Sequence, residues 1–287
     1  MLRTSKISFP GFGIGEFEID STAISIGNFE IAWYAVIITI GMIFAVSHLI
    51  FRANQVGINV DTVIDFVLFT IPIGIIGARV YYVIAEFERF DSFAEIINIR
   101  SGGLAIYGGI IAGAITVYTI SKIKKIPFLV FADCCTPGIL LAQAIGRWGN
   151  FTNGEAFGCE TDWFCRMGLT NSLTGYQTLY VHPTFLYESL WNLIGFIIAN
   201  IFHRKRQYDG QVFLFIFGWY GLGRMFIEGL RADSLYANIF GIEFRISQIL
   251  AALIFALCLA TLIYFSIRKP KKKLYFHTYK ECTKKEK

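Results

Sequence analysis

The hydrophobic and polar positions of the chain are arranged in long blocks rather than in a short alternation. Apolar runs of membrane-crossing length, about 20 residues for a hydrocarbon core of about 30 Å, are separated by short polar stretches. These runs predict transmembrane helices at roughly 31–51, 62–85, 103–121, 128–146, 184–202, 211–230 and 246–267. The pattern therefore predicts an all-α fold, a polytopic membrane bundle of about seven helices.

Composition supports this prediction and defines the parts outside the spans. The 287 residues are 55% hydrophobic and 16% charged, whereas soluble domains carry about 25% charged residues. Residues 1–28 contain glycines and acidic residues but no continuous apolar core, so we expect a structured outer segment rather than a cleavable signal peptide. The expected parts are this N-terminal segment at 1–28, a transmembrane catalytic domain at 29–267 and a basic tail at 268–287.

The distribution of positive charge predicts the orientation. Lysine and arginine are biased to cytoplasmic loops, and the loops on the side of the C-terminal tail carry twice as many of them as the opposite loops. We therefore expect the N-terminus outside and the C-terminus in the cytoplasm. The tail sequence 268-RKPKKK-273 follows a span directly, which favours contact with anionic lipid. Because no RNA-binding or helix-turn-helix pattern accompanies it, we expect no nucleic-acid partner.

Ionisable residues inside a span are costly and are therefore candidates for function. In 219-WYGLGRMFIEGLR-231, the spacing of Arg224, Glu228 and Arg231 places all three on one face of a helix. An ion pair between Arg224 and Glu228 would account for two of them structurally. Two arginines against one acid leave a positive face, however, and such a face is suited to binding a phosphate.

The stretch 146-GRWGNFTNGEAFG-158 follows the fourth apolar run and is the most polar part of the outer half. Arg147 alone could extend its charge to the interface from the end of a helix. That explanation does not cover Asn150, Asn153 and Glu155, which lie close together among glycines. Glycines allow close approach of backbone N–H groups, and asparagines both donate and accept hydrogen bonds. We therefore predict a polar turn that lines a ligand cavity.

Four further residues have both a structural and a functional interpretation. His182 begins the fifth span and is either structural or a proton acceptor near neutral pH. Tyr107 lies among the glycines of 101–115, which are typical of close helix packing, and is an interface residue or a ligand contact. Arg79 could be paired within the bundle, and Tyr34 could be an interfacial aromatic residue.

The sequence contains no recognisable signature of a soluble-type hydrolase or of a metal site. It has no GxSxG, HExxH or Walker motif, and its four histidines are scattered. Cys159 and Cys165 lie in one loop, and they form a disulfide there or remain two thiols. We expect a cavity that binds an anion, opens to the outer leaflet and uses neither a metal nor a cofactor.

These motifs together resemble those of the bacterial prolipoprotein diacylglyceryl transferase family. The run Arg147–x–Gly149–Asn150–Phe151–x–Asn153–Gly154–Glu155 is similar to the signature of that family. The resemblance extends to 182-HPTFLYE-188, to 219–231 with Arg224, Glu228 and Arg231, to 102-GGLAIYGG-109, and to Tyr34 and Arg79. It covers almost the whole chain, including all seven predicted spans.

The resemblance implies a multi-pass enzyme of the bacterial cell membrane. Its substrates would be phosphatidylglycerol and the lipobox cysteine of a preprolipoprotein that still carries its signal peptide, and its products a thioether and glycerol phosphate. The chemistry needs positively charged side chains that stabilise the phosphate leaving group, and it needs a thiolate as the nucleophile. The hypothesis assigns the phosphate to Arg147 and Arg224 and the orientation of these guanidiniums to Glu155 and Glu228. Asn150 and Asn153 would bind the glycerol head group or the phosphate, and Arg231 would serve the rim where the peptide arrives. Further substrate contacts are assigned to Tyr34, Tyr107 and Arg79, and the proton to His182.

One position departs from the family pattern. Most members have a histidine between the paired glycines of the third span, where this sequence has Tyr107. A phenol with a pKa of about 10 is a poor base at neutral pH. A mechanism that requires that histidine as the base therefore does not transfer to this chain.

The alternative from another class is a transporter or lipid-binding protein that carries an organic anion in the same cationic cavity. Transporters are often built from inverted repeats. No convincing internal repeat is present, and an odd number of spans suits a two-halves design poorly. A purely structural role leaves the arginines within the spans unexplained.

Overall fold

The seven predicted spans are helices. The computed structural model describes residues 4–27, 29–99, 102–232, 236–239, 242–268 and 274–275. Within them, the helices long and apolar enough to cross a membrane are α1 (Trp33–Gln55), α2 (Val60–Ala85), α4 (Ile106–Ile123), α5 (Phe128–Asn153), α6 (Thr184–His203), α7 (Gln211–Ile227) and α8 (Ile246–Arg268); α3 (Phe93–Ile97) is a short helix between spans. This confirms the polytopic helical bundle. The predicted basic tail lies outside the described residues except for 268, 274 and 275.

Helix α5 is longer than the sequence pattern predicted. It continues through the polar residues after Gly146 and ends at Asn153, so most of the expected polar turn is helical. Gly154 then adopts a positive φ of 61°, and a Cβ there would lie 2.3 Å from the hydroxyl oxygen of Ser5. Only glycine tolerates that combination of φ and close approach, and α5 ends at Asn153, directly before Gly154.

The end of α7 also differs from the prediction. The α-helix stops at Ile227, residues 228–230 form a 3₁₀ turn, and Arg231 is extended with a φ of −79° and a ψ of 140°. Arg224 and Glu228 remain one turn apart and in contact. Arg231 is therefore not on a continuous helical face with them, and its position depends on the extended backbone that follows.

The segments outside the spans form short antiparallel strands that the helical fold class did not anticipate. They are β1 (Thr4–Phe9), β2 (Ile14–Asp20), β3 (Thr22–Ile26), β4 (Phe29–Ala32), β5 (Met167–Thr170), β6 (Leu179–Val181), β7 (Tyr236–Ile239) and β8 (Ile242–Arg245). One sheet has the order β2-β1-β5-β6, and the pairs β3-β4 and β7-β8 are hairpins. The outer segment predicted at 1–28 is thus largely strand in its described part, and its β1 pairs with β5 of the long loop after α5.

The chain divides into two compact units. The first comprises Met1–His48 and Cys135–Leu274, and the second comprises Leu49–Cys134 and Tyr275–Lys287. In the first unit, α5, α6 and α7 share a buried core of Leu140, Ala199, Val212 and Ile216. A second core joins the sheet to α6 through the buried residues Ile7, Met167, Leu169, Val181 and Phe185.

The second unit is built on close packing of α2 against α4. A Cβ at Gly77 would lie 2.3 Å from the Cβ of Ala112, and one at Gly108 would lie 2.3 Å from the carbonyl oxygen of Gly77. Small residues at such crossings let two backbones approach closely, which is how helices associate in lipid. The glycines around Tyr107 therefore have the packing role that the sequence indicated.

Candidate active site

Three arginines converge on one buried carboxylate in the first unit. Glu188, in the second turn of α6, is 3% exposed. Its carboxylate pairs closely with Nη2 of Arg147 at the end of α5. Nη1 of Arg224 on α7 lies 3.3 Å from the same carboxylate, and Nη1 of Arg231 lies 3.4 Å from it. A carboxylate within a span is stable only when it is paired in this way.

A second buried carboxylate, that of Glu228, pairs with one of these arginines. Glu228 is 3% exposed and forms a close ion pair with Nη2 of Arg224, four residues earlier. Arg245, the last residue of β8, donates from Nη1 to the backbone carbonyl oxygen of Glu228. The predicted pairing of Arg224 with Glu228 is therefore present in the structure, and Arg224 contacts both Glu188 and Glu228 at once.

The polar residues after Gly146 form one hydrogen-bonded chain. Arg147 donates from Nη1 to Oδ1 of Asn150 at 3.4 Å. Asn150 and Asn153 donate from Nδ2 to Oε1 of Glu155 at 3.3 and 3.0 Å. Among the contacts of the described residues, Glu155 reaches Arg147 through Asn150, and the carboxylate that directly pairs with Arg147 is Glu188. The hypothesis had assigned that contact to Glu155; the tertiary fold brings a different acid to the guanidinium.

The loop after α5 holds the parts of the site together. The N–H of Gly158 donates to the carbonyl of His182 at 2.9 Å, and the N–H of His182 donates to the carbonyl of Cys159 at 3.0 Å. On its other side the N–H of Cys159 donates to the carbonyl of Leu230 at 2.7 Å, and Gly158 bridges to Arg231. One short extended segment therefore sets the backbone positions of both His182 and Arg231.

The side chain of His182 lies in a small polar group beside this segment. Its Nδ1 is 3.2 Å from the hydroxyl oxygen of Tyr187, which is 3.0 Å from the sulfur of Cys165. Burial lowers the pKa of His182 from its usual value of 6.5, because desolvation penalises the imidazolium. Cys159 and Cys165 are both thiols in the structure, which corresponds to the second of the two states considered for this loop.

Helices α1 and α6 pack directly on the polar end of α5. The hydroxyl of Ser189 donates to the carbonyl of Ala144 at 2.8 Å and accepts from Nε1 of Trp148 at 3.2 Å. On the α1 side, a Cβ at Gly149 would lie 2.7 Å from the ring of Tyr34. Tyr34 is therefore packed against the helix that carries Arg147.

A reciprocal tryptophan clasp aligns α6 with α7. Nε1 of Trp191 donates to the carbonyl of Trp219, and Nε1 of Trp219 donates to the carbonyl of Trp191, both at 3.0 Å. The two rings stack with centroids 4.3 Å apart. Each ring lies over a glycine of the other helix, Gly195 or Gly223. Since Trp191 follows Glu188 by three residues and Gly223 precedes Arg224 directly, the clasp sets the register of the ion cluster.

We expect Gly223→Ala to disrupt this clasp. The added methyl would lie 2.2 Å from Nε1 of Trp191, so the indole must move and lose its hydrogen bond. Overpacking of this kind costs about 1–3 kcal/mol of folding free energy. The same movement should displace Glu188 from Arg224, and the loss of one charge-assisted contact should lower catalytic activity at least about tenfold. Thermal unfolding in detergent and the transfer rate measure the two effects.

Gly146→Ala is the matched control, because nothing lies within 4 Å of a Cβ at that position on α5. It should leave unfolding temperature and activity unchanged. A Gly223→Ala protein that behaves like this control would show that the clasp does not set the site.

A cleft of about 430 Å³ opens beside the polar chain. It is lined by Glu155, Ala156, Phe157, Leu173 and Ala232. Its walls are apolar apart from the Glu155 carboxylate, and Ala232 places it next to Arg231. No group of three His, Cys, Asp or Glu side chains in the described part of the chain is placed to hold a metal ion.

Two predicted site residues belong to the second unit. Arg79 on α2 donates from Nε to Ile96, from Nη1 to Gly102 and Gly103, and from Nη2 to Glu95 and Asn98, at 2.6–3.1 Å, all to backbone carbonyls. A guanidinium has five N–H donors, so all are used within the segment 95–103. Tyr107 lies in the first turn of α4 and is 49% exposed, with its ring 6.5 Å from that of Tyr81.

Sequence reasoning gave no role to Glu188 or to the tryptophan pair. Glu188 carried the same signal as Arg224, an ionisable residue inside a span, and that signal was sufficient to find it. The clasp could not be found in this way, because tryptophan in an apolar run is ordinary and its acceptors are backbone carbonyls.

Comparison with known proteins places the chain in a family. Residues 21–264 match the family model described as prolipoprotein diacylglyceryl transferase. A phosphatidylglycerol–prolipoprotein diacylglyceryl transferase of Listeria innocua is 41% identical over 89% of this chain and 93% of its own length. A relative from Clostridium perfringens, named as enzyme 1 of the same activity, is 40% identical over 89% and 98%, and one from Clostridium kluyveri is 40% identical over 87% and 98%. With matches of this length and identity, the chain belongs to the prolipoprotein diacylglyceryl transferase family.

Proposed function

We propose that this protein transfers the diacylglyceryl group of phosphatidylglycerol to a cysteine thiol of a prolipoprotein, the first step of lipoprotein maturation. Membership of the family supports the activity. The observation that carries it in this chain is the convergence of Arg147, Arg224 and Arg231 on Glu188 among membrane-length helices. Guanidiniums gathered at one point bind a phosphate bidentately and stabilise the charge that develops when it leaves.

The reaction is a displacement at carbon. The thiol sulfur attacks the glycerol carbon that carries the phosphate ester, so a C–S bond forms and the C–O bond to phosphate breaks. The products are a thioether-linked diacylglyceryl cysteine and glycerol phosphate, and the thiol proton goes to a base. No acyl ester is cleaved.

The exposure of the cluster supports assigning the phosphate to the arginines. The side chains of Arg147 and Arg224 are 23% and 18% exposed, whereas that of Glu188 is 4% exposed. The guanidiniums can thus be approached while their carboxylate partner is covered. We assign the phosphate to Arg147 and Arg224, the glycerol head group to Asn150 and Asn153, and the arriving lipobox peptide to the side of Arg231, where the cleft begins.

The remaining residues have supporting assignments. Tyr34, packed on Gly149, and Tyr107, exposed on α4, are assigned to the lipid. All of the N–H donors of Arg79 are used by backbone carbonyls. We therefore assign Arg79 to holding the conformation of the segment 95–103, so that it supports substrate binding indirectly.

His182 is the assigned proton acceptor. Burial keeps its imidazole neutral at pH 7, and a neutral imidazole is the form that accepts a proton. The hydrogen bond between Nδ1 and Tyr187 orients the ring, which leaves Nε2 as the atom for the thiol proton.

This assignment predicts a pH dependence. Since burial lowers the pKa of His182 from its usual 6.5, kcat/KM should fall on the acid side as the imidazole is protonated, at a lower pH than for an exposed histidine. His182→Asn should lower the rate and remove the acid limb. A limb that persists unchanged in His182→Asn would assign the proton to another group.

The orientation follows from the charge distribution and from the substrates. We propose that the N-terminus and the arginine cluster lie at the outer face of the bacterial cytoplasmic membrane and that the basic tail lies in the cytoplasm. A prolipoprotein with its signal peptide in the membrane presents its cysteine at that face.

Incubation of the purified protein with phosphatidylglycerol and a lipobox peptide tests the function. Mass spectrometry should detect a thioether-linked diacylglyceryl peptide together with one glycerol phosphate per peptide modified. The same protein in sealed vesicles tests the competing hypothesis that it transports an organic anion. Uptake of an organic anion without any modified peptide would favour a transporter and contradict the proposal.

A further inference from the structure

The partners of Glu188 suggest more than a structural ion pair. Its carboxylate is contacted by arginines from three separate segments: the end of α5, the last turn of α7 and the extended residue after the 3₁₀ turn. Each of these guanidiniums would otherwise repel the others. An anion at their centre is therefore required for them to gather.

The contacts of Glu188 are unequal. The pair with Arg147 is close, whereas the distances to Arg224 and Arg231 are 3.3 and 3.4 Å. Good charge-assisted hydrogen bonds are about 2.7–2.9 Å long. The distances from Arg224 and Arg231 to Glu188 are thus longer than those of good charge-assisted hydrogen bonds, so a second anion can compete with Glu188 for these N–H donors.

A carboxylate and a phosphate offer guanidinium groups the same kind of acceptor, a pair of oxygens that accepts two parallel N–H donors. Glu188 therefore competes for the donors that a substrate phosphate needs. Glu228 forms a close ion pair with Arg224, whereas Glu188 is contacted by all three arginines.

We propose that Glu188 is an internal counter-anion of the phosphate site. It assembles the three guanidiniums before the lipid binds, and it competes with the bound phosphate for their N–H donors, which speeds the release of glycerol phosphate. Glu188 is thus a positioning residue that takes no part in bond making. This inference rests on the proposed function for the identity of the phosphate, but its central claim concerns anion binding and can be tested without turnover.

The decisive variant is Glu188→Gln, which keeps the shape and removes the charge. Without the competing anion, glycerol phosphate should bind about tenfold more tightly, the scale of one charge-assisted contact. In the absence of anions the variant should unfold at a lower temperature than the wild type, and glycerol phosphate should restore much of that loss. Its kcat should fall while its KM for phosphatidylglycerol does not rise, because product release becomes slow.

Two other variants complete the comparison. Glu188→Asp keeps the charge on a shorter side chain, so its affinity for glycerol phosphate should lie between those of the wild type and Glu188→Gln. Asp162→Asn removes an exposed carboxylate in the first unit and should change none of the measured quantities. Glu188→Asp also provides the test if Glu188→Gln cannot be purified.

The measurements are titrations of the detergent-solubilised protein with glycerol phosphate, followed by thermal unfolding and calorimetry, and steady-state kinetics of transfer. Affinity for glycerol phosphate that is unchanged or weaker in Glu188→Gln, or in Glu188→Asp if only that variant can be purified, would overturn the counter-anion role. A wild-type protein that bound glycerol phosphate but made no thioether would instead contradict the proposed function and leave the titration to decide the role of Glu188.

Discussion

Replacing Arg224 by alanine is expected to abolish transfer while the protein still inserts in the membrane. Arg224 contacts both buried carboxylates of the cluster, Glu188 and Glu228, and is one of the two arginines assigned to the leaving phosphate. Loss of a group that stabilises developing charge costs about 10²–10³ in rate. We therefore expect kcat/KM to fall by about 10²–10³.

Two companion variants separate catalysis from folding. Arg224→Ala removes an ion-pair partner of the buried Glu228 carboxylate, and this loss by itself destabilises the fold. The double variant Arg224→Ala/Glu228→Gln removes that charge and should recover thermal stability but not transfer. Arg224→Lys keeps one positive charge without the bidentate fork, and its activity should lie between those of the wild type and the alanine variant.

Arg204→Ala is the matched control for these measurements, because Arg204 follows α6 and is exposed. It should leave the transfer rate and unfolding temperature unchanged. Near-normal transfer by Arg224→Ala, measured by mass spectrometry of the modified peptide, would remove Arg224 from the phosphate site.

The second large effect is expected at Arg79. Its five hydrogen bonds to carbonyls between Glu95 and Gly103 tie that segment to α2, and its guanidinium also lies 5.2 Å from the ring centroid of Phe90. Lysine has three donors on one nitrogen, so Arg79→Lys leaves several carbonyls without a partner. Each such group costs about 1–3 kcal/mol when buried, and unfolding should begin about 10 °C lower on the scale of about 2–4 °C per kcal/mol.

Hydrogen exchange distinguishes this anchoring role from direct contact with the substrate. If Arg79 organises the segment, Arg79→Lys should speed amide exchange between residues 95 and 105 and lower the unfolding temperature. If Arg79 bound phosphate directly, the same variant should raise KM for phosphatidylglycerol without changing exchange. Arg89→Lys provides the control, since Arg89 forms an exposed ion pair with Glu86 and its replacement should alter neither quantity.

The motif after Gly146 shows how far sequence reasoning extends. The sequence indicated Asn150, Asn153 and Glu155 as candidates for ligand binding, and in the structure the three are joined by hydrogen bonds. The backbone of this motif was predicted to be a turn, but most of it is helical. Polar residues in a helix cannot be told from those in a turn when tertiary packing holds the helix. Asn171, which donates from Nδ2 to the carbonyl of Gly154 at 2.9 Å, is one of the contacts that hold the end of α5.

The sequence by itself determined the features that depend on local spacing and on solvent. Seven runs of sufficient apolar length become helices whatever their neighbours, because each satisfies its own backbone hydrogen bonds in lipid. The pair of Arg224 and Glu228 is likewise local, because residues four apart on a helix are neighbours. Close helix packing at the glycines of α4 was indicated by their small size, although the sequence did not identify α2 as the partner.

The tertiary structure decided which distant groups meet. Glu188 is 41 residues from Arg147 along the chain, and no spacing rule links them. Backbone carbonyls such as those around Arg79 leave no trace in residue identity, so its acceptors could not be predicted. Arg231 joined the cluster only because the helix ended at Ile227 and an extended segment turned it toward Glu188. Charge and polarity in a span predict that a partner exists, but only the packing of the helices selects the partner.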